Sequence, residues 1–410
     1  MGFCLWLTCC AMMARSDSLE LYVATNGLFT NPGTQAEPLV SIAEARDHIR
    51  GLIDQGLDQD ITVLVRGGTY ELDEPILFTP SDSISQTNHV TYLAYPGEEP
   101  ILSGGEQIVS WQTNSLLWTS DISETRLAGL AFRELFVNDE RRPRARTPNE
   151  GYFRVLEAGA DKRTSLSYYA TDLIPHTNLA GAELVYMHEW STSRVTVDTM
   201  DPASNIIFLS SPVGASYSPL TEIGYFGPHT RYYIENHVDL LDSPGEWYLD
   251  VNNEVLTYWP MVGETVENVT IVAPLATSLV VFAGSPEVDE YVRNIHLKGF
   301  TFSHCGWPIP SLGYAAYQAG THEIRPLKQD RDICRDRIPC ALTIHGSEQC
   351  SISSCRFLPL GCGDIDVRQG YRSILLAGQA QHGRKVSKSC VCKLDKRRWF
   401  GMDIPDQRCC

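Results

Sequence analysis

The sequence predicts an all-β chain in which short strands wind into parallel, stacked coils, interrupted by an inserted antiparallel β segment. Three observations carry that prediction. The stretch VRGGTYELDEPILFTP (residues 65–80) holds brief apolar runs, each stopped by Gly67-Gly68, by Asp73-Glu74-Pro75 or by Thr79-Pro80. The same order of strand and turn returns about thirty residues later in VTYLAYPGEEPILSGG. It returns again in ALTIHGSEQCSISSCRFLPLGCGDIDVRQG, where Ile344 and Ile365 lie about twenty residues apart. Between residues 107 and 290 the character changes: aromatics become dense, and strands such as RVTVDT and NIIFLSS are longer and better alternated.

Taken in order, residues 1–16 (MGFCLWLTCCAMMARS) carry an apolar stretch from Phe3 to Met13. It is too short to span a bilayer and fits the core of a secretory signal peptide, which predicts a secreted or periplasmic protein. No later segment is apolar enough for a membrane span. Leu21 to Ala24 reads as a strand, and Asn26-Gly27 and Asn31-Pro32-Gly33-Thr34 as turns. Ser41 with Glu44 forms a capping-box signature, and Ile42, Ala45, His48, Ile49 and Ile53 recur at helical spacing. A short N-terminal capping helix stopping at Gly56 is therefore expected. The run Ile61 to Val65 is nearly apolar throughout, as strands stacked in parallel are. SPGEWYLDVNNEVLTYWP reads as a hairpin around Asn252-Asn253. The expected organisation is coils over 20–106, the antiparallel insertion over 107–290, further coils over 291–372, and a basic, cysteine-rich tail over 373–410.

With 410 residues, 43% hydrophobic and 20% charged, the chain can bury a large core. A formal net charge of -17 argues against a nucleic-acid partner, whereas neutral polysaccharide is compatible with it. Cys4, Cys9 and Cys10 come early, and the next cysteine is Cys305. Cys390-Val391-Cys392 lacks zinc-knuckle spacing, so no metal is expected; buried thiols or a disulfide such as Cys334–Cys340 are. The sequence has no Walker A loop, dinucleotide fingerprint, HExxH or Gly-x-Ser-x-Gly, and no cofactor is expected.

The strings YVATNG…NPGT, ITVLVRGGTYELDEPILFTP, LFVNDERRPRARTP, PGEWYLD…LTYWP and IHLKGFTFSH resemble right-handed parallel β-helix proteins that act on glycans, of the pectin-lyase-like superfamily. They are most similar to the glycoside hydrolase family 141 type. The resemblance runs from about Leu21 to Gly370. It implies a right-handed parallel β-helix with a β-sandwich-like insertion, α-L-fucosidase or xylanase activity, a polysaccharide or oligosaccharide partner and a monomer. Such proteins carry more coils and place their catalytic carboxylates in the later ones. The resemblance thus implies a truncated helix whose catalytic positions do not transfer to this chain, possible inactivity, and an altered terminus from about Ser373.

Glycoside hydrolysis needs two carboxyl groups flanking the bond. Asp364 and Asp366, at i and i+2 on a strand, share one face and are the catalytic candidates. Solvated strand-face acids and Ca²⁺ ligands are the alternatives there. His304, Trp307, Tyr314 and Gln318 follow a coil strand and are candidate sugar contacts, as are Trp190 and Arg194 beside His188 and Glu189. Arg141, Arg142, Arg144 and Arg146 either meet substrate anions or pair with Asp139 and Glu140. The functional expectation is a glycan-active protein of glycoside hydrolase lineage on plant or algal polysaccharide; the alternatives are a non-catalytic glycan-binding or structural β-helix and a polysaccharide lyase.

Overall fold

The computed structural model describes residues 18–114, 116–173, 178–189, 191–214, 219–227, 229–315, 323–324, 338–368 and 375–379. Among them the chain is all-β apart from one α-helix and short 3-10 turns. No helix among the described residues is long and apolar enough to cross a membrane.

Short apolar strands stopped by glycine and proline have no room for a hairpin partner of their own, so they pair with strands of the next turn of chain. The first parallel ladder runs Leu19–Val23, Ile61–Val65, Val90–Ala94, Ile295–Lys298, Ser351–Phe357 and Leu375–Gln379. The second runs Gly68–Glu71, Pro100–Ser103 and Thr301–Ser303, then the far half of Ser351–Phe357. The third runs Ile76–Phe78, Val280–Ala283, Cys340–His345 and Gly363–Val367. In-register parallel pairing sets like positions above one another. Leu21, Val63, Tyr92, Leu297 and Ile352 thus make one buried column. Tyr70, Leu102, Phe302 and Phe357 make a second, and Phe78, Phe282 and Ile344 a third. The columns meet in one core. Each large apolar side chain withdrawn there contributes about 1.5–3 kcal/mol.

The helix, Ile42–Asp54, starts at Ser41, whose side chain accepts the Glu44 amide. Ile42, Ala45 and Ile49 turn inward against that core. Gly56, at φ +90, ends it by returning its amide to the Ile53 carbonyl, a backbone conformation that side chains resist.

Between Pro100–Ser103 of the second ladder and Val280–Ala283 of the third, the chain leaves the ladders. Gly105–Gln107 and Ile271–Pro274 pair as exit and return strands, and Leu135–Val137 with Glu140–Arg142 completes a small antiparallel sheet. Beyond it lie a larger antiparallel sheet with its own core and a four-stranded sheet that holds the hairpin Trp247–Asp250/Val255–Tyr258. One boundary differs from the sequence expectation. Val280–Ala283 already pairs in parallel between Ile76–Phe78 and Cys340–His345, so the parallel ladders resume before residue 291. A four-residue apolar run reads alike in either kind of sheet, which is why its neighbours gave no warning. Cys340 is free, and Cys334, its expected disulfide partner, lies outside the described residues.

One buried and one half-buried imidazole give the fold an acid limit. His296 sits on the outer side of the first ladder, its Nε2 3.0 Å from Nδ1 of His89 and its Nδ1 2.8 Å from the Ser351 hydroxyl. Burial, with His89 adding to it, pushes its pKa down to about 4. Burial takes His188 down to about 3, beside the Ser193 hydroxyl at 2.9 Å. The unfolded chain binds protons at both residues from about pH 6.5, before the folded chain does. The stability these residues confer is therefore complete above that pH and is lost as pH falls towards 4. Denaturation midpoints measured across this window should fall with acid, and His296→Asn should flatten the slope; an unchanged slope in that variant would refute the assignment.

Candidate functional site

Inward side chains of the second ladder fill the core, so its outward positions make a surface. Thr69, Ile101, Thr301 and Arg356 form one outward row, and Glu71, Ser103 and Ser303 the next. The small antiparallel sheet rises beside this floor as a wall. Together they line a cleft of about 1340 Å³, with Glu99, Gln107, Leu358 and Pro359 at the floor's margins and Asn138 to Arg141, Thr270 and Val272 on the wall.

The wall hairpin turns through Asn138 and Asp139, at φ 50 and 60, a two-residue connection that requires left-handed backbone and suits Asn and Asp. Its tip carries Asp139 to His304, whose Nε2 lies 3.1 Å from Asp139 Oδ1. The other ring nitrogen, Nδ1, lies 3.0 Å from the hydroxyl of Ser103 on the floor. His304 itself is at φ 59, is 8% exposed and packs on the Phe136 ring. A bulky residue held left-handed marks stored strain, which clusters at working sites. The hydrogen bond from His304 holds the Asp139 carboxyl below the usual carboxylate range. Elsewhere in the cleft the charges are paired: Glu99 with Arg356 at 2.6 Å, Glu71 with Arg126, and Glu140 with Arg142 at 2.9 Å.

Behind the wall lies a buried charge network. Glu183 and Glu235 are directly opposed on adjacent strands, an arrangement that would repel unaided. Arg194 reaches both at 2.7 Å. Arg133 reaches Glu183 at 2.7 Å, and Arg144 bonds Glu183 at 3.4 Å and Glu235 at 3.2 Å. Burial works against the Glu183 charge, and the guanidiniums of Arg133, Arg194 and Arg144 overcome it, holding its carboxyl well below the ordinary range. Arg133 also lies 4.2 Å over the Trp307 ring, whose Nε1 donates to Glu134 at 2.8 Å. Burial raises the Glu134 pKa despite Arg141, which reaches its other oxygen at 3.0 Å from the cleft side.

The sequence candidates are thus dispersed. His304 lines the cleft. Trp307, Tyr314 and Arg194 come together, but in the buried network: Trp307 is 7% and Tyr314 2% exposed. Trp307 offers its face to guanidiniums, and Tyr314 gives its hydroxyl to the Pro308 carbonyl at 2.9 Å. Trp190 and Gln318 lie outside the described residues. Asp364 and Asp366 do share the outward face of Gly363–Val367, since Ile365 and Val367 pack on the core. That strand belongs to the third ladder, and neither acid lines the cleft; Asp366 accepts from Arg368 at 2.8 Å. Spacing fixed their common face but not which ladder it belongs to. Of the four arginines after Asp139, Arg141 alone lines the cleft. Arg146 lies over the Tyr233 ring, and Arg142 bonds Glu264 at 2.7 Å. Arg133, Glu134, Glu183 and Glu235 stand in no motif, and Ser103 reads only as the end of a strand in VTYLAYPGEEPILSGG, so only the fold brings them into play.

Residues 115–261 match the family model described as the GH141 insertion domain. Among solved structures, the chain is similar to a protein described as "Glycoside hydrolase", with a TM-score of 0.77 at 24% identity, over 88% of this chain and 65% of that one. The likeness shows a shared fold, and the chain spans less than two thirds of that protein's length. A second structure, XylC in complex with xylose, has a TM-score of 0.36 and 16% identity over 83% of this chain and 40% of that one, too low to carry an argument. No curated protein matches the chain.

Proposed function

We propose that the chain is a glycan-active protein of the GH141 type, built as a right-handed parallel β-helix, exported, and acting on plant or algal polysaccharide. The observation that carries this reading is the cleft of about 1340 Å³ laid along the outward face of stacked strands and rimmed by Asp139, Glu140, Glu71 and Glu99. An open groove of that size holds several sugar units rather than one, and its hydroxyl, carboxylate and guanidinium lining suits the hydroxyls of a neutral saccharide. The insertion-domain match over residues 115–261 supports the same lineage. Four carboxylates on one cleft provide pairs from which an acid and a base for glycoside hydrolysis can be drawn. A second reading, saccharide binding without turnover, is favoured by the pairing of Glu99, Glu71 and Glu140 with arginines.

Titration calorimetry with neutral xylo-oligosaccharides, alongside reducing-sugar release from xylan, tests both. Thr301→Trp fills the floor and should weaken binding at least about tenfold with an unchanged circular-dichroism spectrum, the cost of about 1.4 kcal/mol of lost contact. Binding without sugar release selects the second reading. Loss of release in Asp364→Asn/Asp366→Asn with binding kept would return the chemistry to that pair. Affinity untouched by Thr301→Trp would remove the cleft as the saccharide site.

A further inference from the structure

Ser103, His304 and Asp139 form a continuous chain of side-chain contacts across the cleft. The proton positions follow from the partners. Ionised Asp139 only accepts, so His304 Nε2 carries the proton it donates over 3.1 Å. Nδ1 is then the bare nitrogen, and it accepts the Ser103 hydroxyl proton over 3.0 Å. The Ser103 oxygen in turn accepts the Gly105 amide at 3.3 Å. A side chain at Gly105 would sit 2.4 Å from Val272 Cγ1 and 2.9 Å from His304 Cβ, so only glycine lets that amide approach. Hydroxyl, bare imidazole nitrogen and orienting carboxylate, in contact in that order, are the parts of an activated nucleophile. Sequence order does not announce them, because Ser103 and His304 are 201 residues apart.

We propose that Ser103, His304 and Asp139 are a nucleophile, base and orienting acid that hydrolyse small acyl esters carried on the bound glycan. The substituent's place on a glycan rests on the function proposed above; the ester chemistry does not. Ser103 Oγ attacks the ester carbonyl carbon while its proton passes to His304 Nδ1. The carbon–oxygen bond to the sugar breaks, and the departing sugar oxygen takes the proton from Nδ1. Water then attacks the acyl-serine, gives one proton to Nδ1, and releases the carboxylic acid as that proton returns to Ser103. Asp139 holds the ring and stabilises the imidazolium, and the Gly105 amide orients the serine oxygen. Ser103 lines the cleft floor and is only 2% exposed, so the proposal is confined to the smallest acyl groups.

The test uses the intact chain with p-nitrophenyl acetate, p-nitrophenyl octanoate and a fluorophosphonate probe, with the labelled peptide read by mass spectrometry. The expected result is stoichiometric labelling of Ser103 and hydrolysis of the acetate ester in preference to the octanoate. Ser103→Ala should lose the label and at least about a hundredfold in kcat, and Asp139→Asn should lower kcat with little change in KM. Labelling of the unmodified chain needs no variant to fold. No label at Ser103, or acetate hydrolysis no faster than buffer, would overturn the proposal and leave His304 as a pin between wall and floor. Because de-esterified xylo-oligosaccharide binding is scored separately, labelling without such binding would sink the glycan reading alone, and binding without labelling would sink this inference alone.

Discussion

Glu183→Ala should cost about 3–5 kcal/mol of folding stability, the range for removing one partner from a buried ion network. The wild-type carboxylate serves Arg133 and Arg194 at 2.7 Å and Arg144 at 3.4 Å. The Arg133 and Glu183 side chains are 3% and 6% exposed, so water cannot take the missing partner's place. Truncation leaves three guanidiniums facing Glu235, with a charge excess that must stay desolvated or pull the strands apart. Urea denaturation followed by near-ultraviolet circular dichroism reads the loss, because Trp307 stacks on two of those arginines. Surface ion pairs are worth about 0–1 kcal/mol, so a loss below about 1 kcal/mol would mean that the network is hydrated and contributes as a surface network does.

Phe302→Ala should cost a comparable 3–5 kcal/mol, the usual toll of deleting a fully buried aromatic ring. Phe302 is 0% exposed and stands third in the column of Tyr70, Leu102 and Phe357. Its ring stacks on Phe357 with centroids 4.7 Å apart at 7°. Backbone hydrogen bonds hold the rungs at fixed spacing, so the column cannot collapse into the gap, and the cavity persists. Leu77→Ala offers the contrast: Leu77 faces outward at 41% exposure and should cost under about 1 kcal/mol by the same measurement. Equal losses at the two positions would contradict the inward and outward assignment of ladder side chains.

How much of this was legible before folding depends on how far apart the partners lie. The Ser41 cap, the Gly56 stop and the Asn252-Asn253 hairpin are local, and each rests on a few residues whose backbone preference is strong. The stacked strands were legible because short apolar runs closed by glycine and proline allow few other pairings. The cleft was half legible. His304 follows a coil strand, which marks a cleft-lining place, but Ser103 reads only as a strand's end until Thr301–Ser303 is laid beside Pro100–Ser103. Trp307 and Arg194 stand out in the sequence for their chemistry, and guanidinium and indole do meet, though they meet each other. Glu183 and Glu235 are ordinary alternating residues in the sequence, and their pairing appears only when two strands come into register. For Asp364 and Asp366, period-two spacing specifies a face, and a face has no meaning for catalysis until the ladder that owns it is known.

The excursion between the early and late rungs sets a timetable for synthesis. His89 and His296, neighbours across the first ladder, are separated by 207 positions. At ribosomal speeds of about 5–20 residues per second, a nascent chain waits roughly 10–40 s between making the Val90 rung and receiving the one that covers it. Throughout that interval an unpaired strand edge stands open to any other polypeptide. Yield in the cell should therefore respond to translation speed through residues 107–280, and to chaperones that shield bare edges, more than to small changes in the stability of the finished molecule.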